Sequence, residues 1–123
     1  MKRVLIIEDD DNNYVLISDL LTHAGFTTQR AGTGEEGVRM ALEENPYLVL
    51  LDIQLPDIDG YEVLRRIRDS QPDGAMPIIA VTSYAMSGDR ERLLAAGCNG
   101  YIEKPIDPLR VVRQIRDIAG VAP

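Results

Sequence analysis

Four short apolar runs, each closing on a polar residue, constrain this chain more than any other feature. Val4-Leu5-Ile6-Ile7 leads into Glu8, Asp9 and Asp10, and Leu48-Val49-Leu50-Leu51 leads into Asp52. Pro77-Ile78-Ile79-Ala80-Val81 leads into Thr82-Ser83, and the brief Gly100-Tyr101-Ile102 into Lys104-Pro105. Runs this short and this apolar suit strands buried on both faces, as in a parallel sheet covered by helices. A polar residue at the end of such a strand sits where it emerges into a cleft.

The segments between the runs carry helical periodicity. Leu16, Ile17, Leu20, Leu21 and Ala24 form one apolar helix face, stopped at Gly25, a plausible left-handed cap. Residues 26–30 read as a poorly apolar strand at a sheet edge. Further helices are expected over 35–44, 61–69 and 87–96, with turn-rich loops at 55–60 and 71–74. Asp107-Pro108 is expected to open a fifth helix, Asp at the N-cap and Pro at the first helical position. Leu109, Val112 and Ile115 would form its core stripe, with Arg110, Arg113 and Arg116 on another side.

Five strand-helix units in 123 residues predict a single domain spanning 1–123, with no linker, internal repeat or appended effector domain. Right-handed crossovers favour a flavodoxin-like, doubly wound (βα)5 fold: a five-stranded parallel sheet of order 2-1-3-4-5 with helices on both faces. In that order the strands ending at Ile7 and Leu51 are neighbours. Ligands of open α/β sheets bind beyond the carboxyl ends of such neighbours.

That edge would hold Glu8, Asp9 and Asp52. Two like charges about 4 Å apart repel by about 4 kcal/mol at an effective dielectric of about 20, so three acids there need a cation or protons. A histidine-free, oxygen-rich set suits Mg²⁺, which takes one or two carboxylates, waters and a phosphate oxygen. Thr82 and Lys104 would add a hydroxyl and an ammonium, completing a clamp for a phosphoryl group. The bland readings are a solvated Glu8, an N-cap at one of Asp10 and Asp11, a strand-end Thr82 and a solvated Lys104. Delivery of the group by separate strands outweighs them.

Bulk properties remove other classes. A formal charge of −7 argues against a protein that tracks nucleic-acid phosphates. No apolar run approaches the roughly 20 residues of a membrane span, and the amino terminus lacks a signal peptide's pattern. One cysteine, Cys98, permits no intrachain disulfide, in keeping with a cytoplasmic location. Cys98 reads as a buried filler, and His23 as a histidine favoured near a helix end rather than a phosphorylation site. Gly32, Gly34 and Gly37 have the wrong spacing for a dinucleotide fingerprint.

The five segments Ile7-Glu8-Asp9, Asp52-Ile53-Gln54-Leu55-Pro56, Asp59-Gly60, Ala80-Val81-Thr82 and Tyr101-Ile102-Glu103-Lys104-Pro105 together resemble the receiver domain of two-component response regulators. The likeness covers essentially the whole chain. It implies that Asp52 takes a phosphoryl group from a phosphohistidine on a histidine kinase or histidine phosphotransferase. It also implies that Asp9 binds Mg²⁺ directly, Glu8 through water and Gln54 by its backbone carbonyl. Thr82 and Lys104 would engage phosphoryl oxygens, Tyr101 would be the switch aromatic, and the bond to Pro105 would be cis. Output would be altered contact with a downstream protein, from a monomer or a weak phosphorylation-dependent dimer.

Two details depart from the commonest receiver pattern: Glu8-Asp9 in place of two aspartates, and Ile106 where phenylalanine is usual. The Asp9-to-Leu16 segment, Gln54-Leu55-Pro56 and Tyr84-Ala85-Met86 look like phosphorelay or stand-alone receivers. By the same likeness Gln54 and the bulky Tyr84 flank the path of a hydrolytic water, implying a phosphoaspartate lasting minutes or longer. Asn13 and Tyr14 are expected to lie exposed beside the site, with Pro105 and Ile106 across from them, as a donor-docking surface. Arg90, Arg110 and Arg113 would supply charge to an output face around Tyr101. The alternative from the enzyme class is a Mg²⁺-dependent aspartyl-phosphate phosphatase or phosphotransferase. Such enzymes commonly carry an acid two residues after the nucleophile, where this chain has Gln54. A third reading, a receiver-like module never phosphorylated, conflicts with an intact Asp52, Thr82 and Lys104.

Overall fold

A computed structural model describes residues 2–71, 76–83 and 87–120, with the backbone alone at 87 and 88. Strand and helix alternate from end to end: β1 (Arg3–Ile7), α1 (Asp11–His23), β2 (Thr27–Ala31), α2 (Gly34–Glu43), β3 (Leu48–Asp52), α3 (Gly60–Ser70), β4 (Ile78–Thr82), α4 (Ser87–Ala95), β5 (Gly100–Glu103) and α5 (Val111–Ala119). The five strands form one parallel sheet in the order β2-β1-β3-β4-β5, the expected flavodoxin-like order.

Side chains alternate across this sheet and so sort into two cores. Leu5, Ile7, Val49, Leu51, Ile78 and Ala80 face Ala41 of α2, Val63, Leu64 and Ile67 of α3, and Leu93 of α4. Val4, Ile6, Leu48, Leu50, Ile79 and Val81 face Ile17 and Leu21 of α1 and Val111 and Ile115 of α5. The three central strands are buried on both faces, which is why they read as unbroken apolar runs. β2, at the edge, keeps only Ala31 fully buried.

Local chemistry sets the boundaries. Asp10, rather than Asp11, caps α1 by accepting from the Asn13 amide at 2.9 Å. Thr33 caps α2 and Asp59 caps α3. Gly25 takes φ +95° after α1, as its cap role requires. Gly60 is needed for another reason: a Cβ there would lie 2.5 Å from the Ile53 Cα, so a side chain would push α3 off the end of β3.

The fifth helix departs from the sequence reading. Asp107 caps a separate turn, its carboxylate accepting from the Leu109 amide at 2.9 Å and its carbonyl from Val111 at 2.9 Å. Regular helix begins at Val111, so the inward stripe runs through Val111 and Ile115, with Val112 and Ile118 beside it. Leu109 belongs to the turn and is 95% exposed, not a core residue. Arg116 also differs from Arg110 and Arg113: it folds over the Phe26 ring and donates to the Ala24 carbonyl at 3.0 Å. The expected loop residues Pro72, Asp73 and Gly74 lie outside the described residues.

Candidate functional site

The register of β1 against β3 pairs Ile7 with Leu51, so Glu8 and Asp52 leave adjacent strands at the same level. The Glu8 amide donates to the Ala31 carbonyl at 3.0 Å, holding its backbone against β2. Asp52 is 3% exposed and Glu8 2%, whereas Asp9 is exposed at the cleft mouth. One carboxylate oxygen from each of the three lies within 4.8 Å of the others. Such a cluster could hold a divalent cation.

β5 lies beside β4, yet its following residue reaches β3. The Lys104 amide donates to the Thr82 carbonyl at 2.8 Å, which sets Lys104 next to the end of β4. From there Lys104 Nζ donates to Asp52 Oδ2 at 3.1 Å and sits 3.5 Å from Glu8 Oε1. The other Asp52 oxygen, Oδ1, accepts from the Gln54 amide at 2.9 Å, and Glu8 Oε2 from the Asp10 amide at 3.3 Å. The Gln54 side chain is exposed.

Electrostatics follow from this crowding. Burial pushes the Glu8 carboxyl up to about 7, helped by the hydrogen bond and charge of Asp52 and opposed by Lys104 and the Asp10 amide. Burial disfavours the Lys104 ammonium, but the charges of Asp52 and Glu8 outweigh it, so its pKa is raised. Lys104 thus stands as an internal cation against the pocket's own acids.

Thr82 is 2% exposed at the end of β4. Its register partner is Glu103, and Tyr101, two residues earlier on β5, packs against the α2–α3–α4 core. By strand alternation Thr82 faces that side too, so the two are diagonal neighbours on one face, a spacing of about 7–8 Å between backbones. The half-buried Tyr101 ring carries the Arg90 guanidinium 5.2 Å from its centroid. The Lys104–Pro105 bond is cis, and Pro105 is exposed while Ile106 packs on the α1–α5 core. Tyr84, Ala85 and Met86 lie outside the described residues.

Other sequence expectations shift. Asn13 and Tyr14 are half-buried rather than exposed, because Tyr14 packs on the α1–α5 core with Arg30 over its ring at 4.9 Å. Val15 is the exposed apolar residue of that turn. His23 ends α1 with Nδ1 2.8 Å from the Asp19 carbonyl oxygen, at the far end of the helix from the acids. Cys98 is buried, and burial raises its thiol pKa.

Two neighbours of the site escaped sequence reasoning. Asp57 accepts from the Gly34 and Glu35 amides at 2.8 and 2.9 Å, tying the β3–α3 loop to the start of α2. These bonds, that from Glu35 foremost, hold its carboxyl below the usual range. Arg30 of β2 contacts the backbone of Glu8 and Asp9. An arginine on an otherwise polar edge strand, level with an acid-rich loop, is the signal that could have flagged it.

A doubly wound α/β domain whose carboxylates and lysine meet at the switch point, with a buried threonine ending the next strand, defines a class of small site-bearing domains. Comparison with known proteins makes the class specific: the model of the response regulator receiver domain matches residues 4–116. The polar-differentiation response regulator DivK of Brucella ovis is 41% identical over 121 residues, 98% of each chain. A CheY-like receiver structure from Methanospirillum hungatei superposes with TM-score 0.84 at 33% identity, covering 98% of this chain and 94% of that one. The receiver domain of the sensor histidine kinase PA1611 from Pseudomonas aeruginosa, with magnesium coordinated in its active-site cleft, superposes with TM-score 0.86 at 34% identity, covering 97% and 98%. This chain belongs to the response regulator receiver family. No helix among its described residues is long and apolar enough to cross a membrane.

Proposed function

We propose that this chain is the phosphoryl-accepting switch of a two-component or phosphorelay system. The observation that carries the reading is the meeting of Asp52 with Lys104 at 3.1 Å inside an acid cluster spanning 4.8 Å. A carboxylate oxygen of Asp52 attacks the phosphorus of a phosphohistidine. The new O–P bond forms as the P–N bond breaks, and the electron pair leaves with the imidazole nitrogen. Asp9 and Asp52 would hold Mg²⁺ directly, Glu8 through water and Gln54 by its backbone carbonyl. When bound, the ion offsets the carboxylate charge and that of the phosphoryl oxygens. The magnesium in the PA1611 receiver supports this assignment.

Lys104 then exchanges its contact with Asp52 for one with a phosphoryl oxygen, and the Thr82 hydroxyl engages another. Movement of Thr82 draws Tyr101 inward on the same face of the sheet. That motion changes the surface offered by α4, β5 and α5 to a downstream protein. The donor is a histidine kinase or histidine phosphotransferase, docking near Asn13, Val15 and Pro105. The protein is a monomer or a weak phosphorylation-dependent dimer, works in the cytoplasm and does not bind nucleic acid directly.

Incubation with Mg²⁺ and acetyl phosphate, followed by intact-mass measurement, tests the reading. A lasting gain of one phosphoryl group, absent from Asp52→Asn and in chelator, is expected. Turnover of acetyl phosphate without an adduct would instead mark a phosphatase, and no reaction an inert module.

A further inference from the structure

We propose that Arg30 is a positioning residue for the metal ligands, acting through the backbone of the loop that carries them. β2 pairs Arg30 with Ile6, whose side chain faces the α1–α5 core, so Arg30 lies on the α1 side of the sheet. There its guanidinium commits all three nitrogens to the segment 8–11, which runs from the end of β1 into α1. Nε donates to the Glu8 carbonyl at 3.1 Å, Nη2 donates to the Asp9 carbonyl at 3.1 Å, and Nη1 pairs with Asp11 at 2.7 Å. Its central carbon also lies over the Tyr14 ring in the first turn of α1, 4.9 Å from the centroid.

The planar fork of arginine suits this task because one rigid group fixes two consecutive carbonyls relative to each other. With those carbonyls turned toward β2, the backbone that aims the Glu8 and Asp9 carboxylates at Asp52 is held before any cation arrives. Asp11 has a second effect: it neutralises the guanidinium, so a cation placed beside a metal site need not repel the metal. Partners that orient ligands in this way typically change metal affinity about 10- to 100-fold when removed.

The inference rests on the Mg²⁺ site proposed above. It makes a prediction opposite in sign to simple electrostatics. Removing a positive charge near a cation site should tighten Mg²⁺ binding, whereas removing a positioning group should weaken it. Calorimetric titration with Mg²⁺ of wild type, Arg30→Ala and Arg30→Lys distinguishes the two. Arg30→Ala is expected to weaken binding about tenfold, and Arg30→Lys, which keeps the charge but loses the fork, by a smaller factor. Labelling by acetyl phosphate should return to the wild-type rate once Mg²⁺ is saturating, because Arg30 touches no reacting atom.

Tighter or unchanged Mg²⁺ binding by Arg30→Ala overturns the proposal. So does a variant that melts earlier in chelator yet binds Mg²⁺ with wild-type affinity, since that is the signature of a purely structural arginine. If Arg30→Ala does not fold, Arg30→Lys decides alone, and wild-type affinity in it counts against the positioning role. Wild-type protein that takes no Mg²⁺ would overturn the site reading itself, a result separable from any behaviour of the variants.

Discussion

Lys104 is the residue on which the unloaded pocket depends. Its ammonium sits between Asp52 and Glu8, so the acids face an internal counter-ion rather than each other alone. Lys104→Met should therefore destabilise the metal-free protein by about 1–3 kcal/mol, the cost of stripping a partner from buried polar groups. Urea melts in chelator would show it, and a variant as stable as wild type would mean the ammonium is not needed there. Glu8 supplies the pH dependence. Its folded pKa of about 7 lies above the ordinary 4.5, so the folded state binds that proton more tightly than the unfolded chain does. Stability from that proton is fully present below pH 4.5 and is lost as pH rises through about 7, by at most about 1.4 kcal/mol per pH unit. Glu8→Gln should flatten that decline in metal-free denaturation curves, and a slope unaltered by the substitution would assign it elsewhere.

Among the elements, α4 places the Arg90 guanidinium over the half-buried Tyr101 ring of β5. An exposed cation–π contact contributes about 0.5–1 kcal/mol, so in the proposed switch Arg90→Ala should raise the inward population of the ring about two- to fivefold. Tyr101 ring resonances in the unphosphorylated variant should then move toward their phosphorylated positions; no movement would mean Arg90 merely rests on the ring. The strands that deliver the acids were legible because burial on both faces leaves an unmistakable apolar run. Leu109 misled because it extends the Val112–Ile115 spacing backward by one turn, and spacing alone does not reveal that Asp107 closes a separate turn there. Arg30 and Asp57 were missed for a different reason. Each acts on backbone groups more than twenty residues away in sequence, and only strand register or loop path brings those groups near.

At the scale of the molecule, cation binding and fold stability are one equilibrium. If Mg²⁺ binds the folded pocket alone, a concentration one hundred times its dissociation constant adds about 2.7 kcal/mol, or about 10 °C in melting temperature. Asp9→Asn should lose that increment and, relieved of one like charge, melt slightly above wild type in chelator. A variant clearly less stable than wild type under those conditions would contradict the repulsion it is meant to relieve. The two cores on either side of the sheet carry a last consequence. Tyr101 packs on the α2–α3–α4 layer, while Asp52 and Thr82 end the adjacent strands β3 and β4 at the rim where the two layers meet. In the proposed switch, receipt therefore lies at the rim of the sheet and report on one side of it. That rim is tied together where the Lys104 amide donates to the Thr82 carbonyl. Substitutions deep in either layer can then alter how firmly the domain holds together while leaving the relay of the message intact.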